Sequence, residues 1–156
     1  MGAVPALVDG DGPIMTHAHA LMAYIAAKAP EKKLSGETDL RSQQEFHQRL
    51  AVINGDLHPA YSPVFTPTRF TTQDDEAVLD AIKRAAFQRL RDVFGVLNAH
   101  LDGRHFVLGE ARTCVDAFAY IMTRWIPYTD YSIDVFPHLK RHFELFRDDP
   151  GIIQAE

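Results

Sequence analysis

The opening segment of the chain limits its fold most, because it predicts a strand, a tight turn, a second strand and a helix within a few residues. Two apolar runs, 4–8 and 13–15, flank a pair of Asp-Gly dipeptides, and this arrangement is a strong short-range signal of a β-hairpin. A helical pattern follows over 17–29, where Thr16 is a suitable N-cap and Pro30 a suitable stop. A hairpin with one helix is marginal by itself. The segment therefore predicts a small unit that packs against a larger one.

The rest of the chain predicts helices alone. After a polar linker at 31–36, apolar residues recur every three or four positions over 46–65 and again over 74–101, which is the spacing of one helix face. Thr and Asp three residues apart, at 113–116, form a capping-box pattern before a strongly apolar helix. A last long helix is expected to end at the Asp-Asp-Pro of 148–150.

Composition and charge exclude several classes of function. The chain has 156 residues, of which 46% are hydrophobic and 24% charged, as in ordinary globular proteins. A net charge of −5 without a cluster of basic residues disfavours nucleic acid as a partner, and no apolar run is long enough to span a membrane. The single cysteine, Cys114, excludes an internal disulfide and fits a reducing compartment. We therefore expect a cytoplasmic protein that binds neither nucleic acid nor membrane.

Several motifs along the chain resemble those of the glutathione S-transferase family. Val-Pro-Ala-Leu at 4–7 is similar to the family's strand with a cis-proline, and Leu-Gly-Glu-x-x-Thr-x-x-Asp at 108–116 is similar to its helix-capping loop. The helix at 56–65 and the Arg-Trp pair at 124–125 resemble the beta class of bacterial enzymes. Phe-Pro-His-Leu at 136–139 resembles the family's usual C-terminal pattern. The resemblance covers essentially the whole chain.

The resemblance implies a mainly α fold with a small N-terminal α/β unit. An all-helical bundle of the glutathione S-transferase C-terminal type is expected over 37–156, preceded over 1–30 by a partial thioredoxin-like β-hairpin plus helix. The likeness begins at the second half of the thioredoxin-like domain, so it predicts a chain without the first βαβ half. In the family that half carries the catalytic Tyr, Ser or Cys. The expected protein is therefore transferase-like but lacks the catalytic half.

The resemblance also places the remnant of a glutathione site in the N-terminal unit. Family members bind the cysteinyl part of glutathione with the backbone of the residue at Val4, next to the cis-proline at Pro5. After the second strand they carry Glu or Gln followed by Ser, which hold the γ-glutamyl end at a helix start. His17 and Ala18 stand at these positions here, so the carboxylate and the hydroxyl are both replaced. Glutathione is thus expected as a co-substrate whose site is altered.

Three further residues are candidates for chemistry or for a substrate pocket. In the beta class, the residue equivalent to His58 lies near the glutathione sulfur, where an ordinary pKa of about 6.5 suits proton transfer; a helix histidine with a local hydrogen bond is the alternative. Tyr61 and Trp125 are candidates for a pocket that takes a small apolar ligand. Aromatic residues at helical spacing also form cores, and we expect this of Phe65 and Tyr128.

No metal site is expected. His17 and His19 are two residues apart, so on a helix they do not face each other. His138 and His142 have the four-residue spacing that suits zinc, but no third ligand lies near them in sequence. Cys114 lies inside the capping box, where packing rather than reactivity is expected. The other histidines are expected on the surface or in loops: His47, His100 and His105.

Three functions are compatible with these features. The first is a glutathione-dependent transferase that conjugates the thiol to small electrophiles. The second is a non-catalytic ligand-binding or protein-interaction module that keeps only the fold. The third is an enzyme that keeps the apolar pocket and uses His58 as a general acid or base. The Val4–Val8 strand has an open edge, for which three partners are compatible with the sequence: the same edge of a second copy, a unit supplied by a separate polypeptide, or a preceding part of a longer chain. We expect a homodimer in each case, with the Val4–Val8 edge as one candidate contact.

Overall fold

A computed structural model of the chain describes residues 4–155. A two-stranded hairpin and one helix come first, and helices alone follow. The elements are β1 (Ala6–Leu7), β2 (Met15–Thr16), α1 (Ala18–Lys28), α2 (Leu40–Val52), α3 (His58–Ala60), α4 (Ser62–Phe65), α5 (Glu76–His100), α6 (Cys114–Arg124), α7 (Pro137–Arg147) and α8 (Pro150–Ala155). The mainly α fold predicted from the sequence is confirmed. The division into units at 1–30 and 37–156 stays a prediction.

The hairpin and α1 form one unit. The strands pair antiparallel, with Ala6 opposite Thr16. In the turn, the carboxylate of Asp9 accepts hydrogen bonds from the Tyr24 hydroxyl and the Lys28 ammonium of α1. These bonds hold the pKa of Asp9 below its ordinary value, and the bond from Lys28 contributes most. The turn is thereby tied to the helix that follows it.

The two ends of the hairpin contain one confirmed prediction and one correction. The Val4–Pro5 peptide bond is cis, as the resemblance predicts. Thr16 is not the N-cap of α1, because it belongs to β2 and its hydroxyl is bonded to Nδ1 of His17 instead. His17 is the N-cap, with a φ of 71° and no side-chain capping bond. The helix therefore begins one residue later than the sequence indicates.

A single buried carboxylate organises the helical bundle. One oxygen of Asp116 accepts from the backbone N–H of Val107 at 2.7 Å and lies 3.0 Å from Nε2 of His142. The other oxygen accepts from the N–H of Thr113 at 2.8 Å and from its hydroxyl at 2.9 Å. Asp116 and His142 are both fully buried. The capping box predicted at the start of α6 is confirmed, and its carboxylate also reaches α7.

His142 therefore serves the fold, and it does not pair with His138. Its Nε2 is bonded to Asp116, while its buried Nδ1 has no hydrogen-bond partner. His138 instead lies 3.6 Å from the carboxylate of Asp102. Across residues 4–155, no three His, Cys, Asp or Glu side chains gather where they could hold a metal ion.

The core lies between α2, α5, α6 and α7. Its largest fully buried side chains are Tyr61, Phe46, Phe94, Phe146, Leu50, Ile53, Leu57, Leu90, Leu101, Met122, Leu139 and His142. The chain enters α2 and α5 through caps in which Asp39 and Asp75 each accept from two backbone N–H groups. Within residues 4–155, no helix combines the length and the apolar character that a membrane span needs.

Between α2 and α3 the chain passes through one turn of π-helix, Ile53–Leu57. Such a turn holds one residue more than an α-helical turn, so it changes which side of the following helix faces the core. Ile53 and Leu57 are buried on one side of this turn, and Tyr61 continues the buried side. His58 and Pro59 are exposed on the other side.

The linker is fixed to the start of α6 by its backbone. The N–H of Cys114 donates to the carbonyl oxygen of Leu34 at 2.9 Å. From α2, the side chain of Gln43 donates to the carbonyl oxygen of Glu37 at 2.7 Å. Burial raises the pKa of the Cys114 thiol to about 11, so the reactive thiolate is scarce near neutral pH. This agrees with the packing role expected for Cys114.

One histidine that was expected at the surface is mostly buried. The side chain of His100 is 10% exposed, and its Nε2 lies 2.7 Å from the carbonyl oxygen of Val107. Burial lowers the pKa of His100. The prediction was wrong because the loop after α5 returns to the end of that helix, and spacing along a helix does not reveal this. His47 and His105 are exposed, as predicted.

We expect Asp116→Ala to lower the free energy of unfolding by about 3–5 kcal/mol, because buried donors from three other residues lose their acceptor. Asp39→Ala is the matched control, since it removes an exposed carboxylate that caps α2; it should cost about 1 kcal/mol. Urea unfolding followed by circular dichroism measures both losses. Equal losses for the two variants would contradict the central role of Asp116.

Candidate functional site

The residues predicted for a glutathione site lie on the hairpin and at the start of α1. Val4 is 93% exposed and precedes the cis bond to Pro5. His17 is exposed at the N-cap of α1. Ala18, the first residue of the helix, is half-buried and packs against the core of the bundle. This surface thus combines an exposed strand end with a helix start.

The start of α1 offers backbone hydrogen-bond donors. The N–H of Leu21 is bonded to the carbonyl oxygen of His17 at 3.0 Å. The N–H groups that precede it along α1 have no partner within the helix, and no acidic side chain stands in the first turn. Together with the helix dipole, these groups favour a carboxylate. This end of α1 therefore suits a small anionic peptide, although Ala18 supplies no hydroxyl to hold it.

His58 opens α3 and carries an exposed ring. The centroid of this ring lies 5.8 Å from that of Trp125 and 6.4 Å from that of Phe118. Within the described part of the chain the ring makes no hydrogen bond, so the alternative of a locally bonded histidine does not describe it. A ring that is open to solvent beside aromatic neighbours suits proton exchange with a bound ligand.

Three aromatic residues and His58 form a surface that we call the aromatic wall: His58, Phe65, Trp125 and Tyr128. The ring of Phe65 stands edge-on to Trp125 at 5.4 Å and to Tyr128 at 5.4 Å between centroids. Phe65 is 46% exposed, Tyr128 is 61% exposed, and Trp125 is half-buried. Edge-to-face pairs hold their rings at preferred angles, so the wall presents a shaped apolar surface to solvent.

Tyr61 supports the aromatic wall from inside. It is 1% exposed, and its hydroxyl donates to the carbonyl oxygen of Met122 at 3.0 Å. Burial raises the pKa of Tyr61 far above its ordinary value, so the hydroxyl stays protonated. Its ring meets that of Trp125 edge-on at 5.3 Å. Of the two residues predicted for a substrate pocket, Trp125 offers a surface, and Tyr61 lies in the core, which was the alternative interpretation.

Phe65 and Tyr128 were expected in the core but belong to the aromatic wall. Each lies at the end of a short helical segment that begins with a proline in its first turn, Pro63 in one case and Pro127 in the other. A side chain at a helix end can leave the buried stripe, because the next turn no longer covers it. A proline in the first turn does not by itself identify such positions, because Pro59 stands two residues before the buried Tyr61 just as Pro63 stands before Phe65.

Two surface cavities lie away from the aromatic wall. The α1–α2 groove, of about 360 Å³, has Pro30 and His47 among its lining residues. An apolar cleft of about 400 Å³ lies beside the end of α6, with Ile126 and Phe143 among its lining residues. The residues of the aromatic wall line neither cavity. The wall is thus an open surface rather than part of these two cavities.

Comparison with known proteins places this geometry in context. The model of the glutathione S-transferase C-terminal domain family matches residues 57–150. Glutathione S-transferase GST-4.5 of Xanthomonas campestris is 32% identical over 158 residues, which cover 99% of this chain and 76% of that protein. A solved glutathione S-transferase from Xylella fastidiosa has a TM-score of 0.90 at 31% identity and covers 99% of this chain and 74% of its own.

A second solved structure contains the tripeptide. It is a sphingomonad glutathione S-transferase in complex with glutathione, with a TM-score of 0.85 at 26% identity over 99% of this chain and 72% of its own. In fold alone, the chain is also similar to a bacterial beta class glutathione S-transferase of Sphingomonas chungbukensis, with a TM-score of 0.85 at 23% identity over 99% of this chain and 72% of its own. The predicted resemblance, hairpin included, is thus confirmed along nearly the whole chain.

Proposed function

The chain belongs to the glutathione S-transferase family, and from this we propose that it binds glutathione and presents the thiol to an apolar electrophile. One observation supports the proposal: a single chain has both an exposed strand end beside the start of α1, at Val4, and an aromatic wall beside His58. The first surface suits a tripeptide, and the second suits a small aromatic molecule. A cytoplasmic location, expected from the single cysteine, is part of the proposal.

Glutathione fits the hairpin surface through its backbone and its charge. An extended peptide beside the exposed Val4 can exchange main-chain hydrogen bonds with the strand end, and the start of α1 favours the γ-glutamyl carboxylate. The glutathione complex of the sphingomonad relative supports the same ligand here. His17 and Ala18 replace the acid or amide and the serine of the family, which weakens the γ-glutamyl end. We therefore expect a millimolar affinity, about −4 kcal/mol.

The aromatic wall serves the second substrate. A planar electrophile would pack against Trp125 and Phe65, where apolar area is removed from water and rings meet edge to face. In the conjugation, the glutathione sulfur forms a bond to the electrophilic carbon, the leaving group departs with its bonding pair, and the thiol proton passes to a base. We assign that proton to the exposed ring of His58, beside Trp125.

A non-catalytic module that binds a ligand or a protein partner is the second candidate, and one observation favours it. His17 and Ala18 remove both side chains with which the family holds the γ-glutamyl end. A protein that no longer used glutathione would keep the buried network of Asp116 and the aromatic wall without needing those side chains. Thiol binding separates the two functions, because the first requires it and the second does not.

We expect the double variant His17→Glu with Ala18→Ser to bind reduced glutathione about tenfold more tightly than the wild type, a gain of about 1.4 kcal/mol. The carboxylate gives the γ-glutamyl ammonium a partner, and the serine adds a hydroxyl at the helix start. Isothermal titration calorimetry measures both affinities. Ala27→Ser, on an exposed position near the other end of α1, should change nothing. If neither the wild type nor the double variant bound glutathione at millimolar concentration, the proposal would be contradicted. The non-catalytic module would then be the function that remains.

We expect His58→Ala to lower kcat/KM for conjugation of glutathione to chlorodinitrobenzene by about 10²-fold, because the thiol proton loses its acceptor. His105→Ala, which removes another exposed histidine, is the control and should keep the wild-type rate. Circular dichroism checks that each variant is folded. An unchanged rate in His58→Ala would remove this residue from the reaction. If the wild type converted the substrate without glutathione and His58→Ala abolished this turnover, the result would instead support an enzyme with changed chemistry.

We also propose that the chain forms a homodimer, and two surfaces are candidates for the contact. The surface predicted from the sequence is the Val4–Val8 edge, where Val8 is 53% exposed beside the short strand β1. The other surface, the α2–α5 face, is a shallow apolar hollow lined by Val52 and Val93, with Val96 58% exposed at its surface. The contact at the Val4–Val8 edge stays a prediction.

Charge favours the α2–α5 face. Arg89 and Asp56 form an ion pair at 2.7 Å at its rim, and Asp92 borders the same hollow. A face that carries both signs is complementary to a copy of itself related by a twofold axis. At the other surface, β1 is only two residues long. We therefore place the dimer contact on the α2–α5 face.

We expect Val96→Glu to convert the dimer to a monomer, because it buries an unpaired charge in the apolar contact. Val8→Glu adds the same charge at the strand edge and should leave the dimer intact. Sedimentation velocity reports the oligomeric state of both variants. If Val8→Glu were a monomer and Val96→Glu a dimer, the contact would lie at the Val4–Val8 edge. A monomeric wild type would contradict the homodimer.

A further inference from the structure

Two histidines join α1 to α2 where the N-terminal unit meets the helical bundle. Nε2 of His19 lies 3.1 Å from Nδ1 of His47, and the ring centroids are 5.4 Å apart with their planes inclined by 26°. The centroid separation exceeds the N–N distance by about two ring radii, so the rings meet end to end, as in a hydrogen bond. One of the facing nitrogens donates a proton and the other accepts it. The contact therefore holds one proton.

The surroundings do not favour the uptake of further protons by this pair. Burial lowers the pKa of His19, and the neighbouring His47 lowers it further. Charged and titratable groups on the neighbouring elements have other partners: Lys28 with Asp9, Lys33 with Glu37, Arg49 and Arg104 with Glu45, and His17 with Thr16. In the described part of the chain, no charged group besides His47 acts on the pKa of His19.

The apolar contact that holds α1 to the bundle is small. Leu21 and Ala26 are its fully buried side chains, and three partly buried residues pack against the core: Ala18, Met22 and Ala23. Beside the histidines, the α1–α2 groove of about 360 Å³ gives water access to the contact. The apolar contact between α1 and the bundle is therefore too small to offset a large change of charge at His19 and His47.

We propose that His19 and His47 form an acid-sensitive latch between the N-terminal unit and the helical bundle. With one proton between the rings, the latch is closed. The neutral pair takes up two further protons as the pH falls. The first can be kept within the N–H···N contact, whereas the second removes the accepting nitrogen and leaves two imidazolium rings at hydrogen-bond distance, so like-charge repulsion replaces the hydrogen bond. The helix α1 then separates from α2, together with the hairpin that Asp9 ties to it. The latch does not depend on whether the chain binds glutathione.

The direction of the pH effect follows from proton uptake. His19 binds a proton less readily in the folded protein than in the unfolded chain, where the pKa of histidine is about 6.5. Below that pH the unfolded or undocked state holds more protons than the folded state, so the stability of the contact falls as the pH falls. Above it, both states are uncharged at this position and the contribution of the latch is complete.

The test compares the wild type with His19→Gln and His47→Gln, because glutamine keeps a hydrogen-bonding group but does not titrate. Amide hydrogen exchange in α1, expressed relative to α6 to remove the intrinsic effect of pH, is measured at about pH 7.5 and about pH 5.5, on either side of the histidine pKa. In the wild type we expect the relative opening of α1 to increase about tenfold at the lower pH. In both variants this ratio should not change with pH.

A matched control and a stability measurement make the result decisive. His105→Gln replaces an exposed histidine of the loop after α5 and should behave as the wild type does. Urea unfolding at both pH values checks that every variant is folded. A wild-type ratio that does not change with pH, or the same change in His19→Gln and His47→Gln, would overturn the latch. Glutathione is absent throughout, so failure of the latch and failure of glutathione binding are distinguishable.

Discussion

The helical bundle depends on one buried carboxylate whose hydrogen bonds are all made within the protein. Asp116 joins the loop at Val107, the cap at Thr113 and the middle of α7 at His142. A carboxylate removed from water costs several kcal/mol unless donors fill its lone pairs. The three segments therefore share one carboxylate, and displacing any of them would leave it with an unfilled lone pair.

The N-terminal unit is held in a different way. Its side-chain hydrogen bond with the bundle joins His19 to His47 near the surface, and the linker that follows the unit is bonded to the bundle through the backbone of Leu34 and Cys114. The proposed glutathione surface lies on this unit, whereas the aromatic wall lies on the bundle. In the proposed function, the thiol and the electrophile are therefore held by different parts of the chain.

The sequence predicts those features that neighbouring residues encode. The hairpin and the box formed by Thr113 and Asp116 depend on residues at most a few positions apart. The bond from Asp116 to His142 spans 26 positions, so no local sequence pattern predicts it. Thr16 was misplaced because a strand and a helix cap compete for the same residue, and the strand prevails. In the candidate site, helical spacing identifies Tyr61 and Tyr128 alike as apolar, but the packing of distant helices buries the first and leaves the second exposed.

The π turn at Ile53–Leu57 determines which side chains of the following helix face solvent beside the aromatic wall. Each residue of an α-helix advances the direction of its side chain by about 100°, so the extra residue of a π turn rotates everything after it by that angle. With this rotation, His58 faces solvent while Tyr61 faces the core. Deleting a single residue upstream would turn the imidazole inward and a core side chain outward. The exposure of His58 is therefore sensitive to helical phasing, and a one-residue deletion upstream would disrupt the aromatic wall even though all of its residues are still present in the sequence.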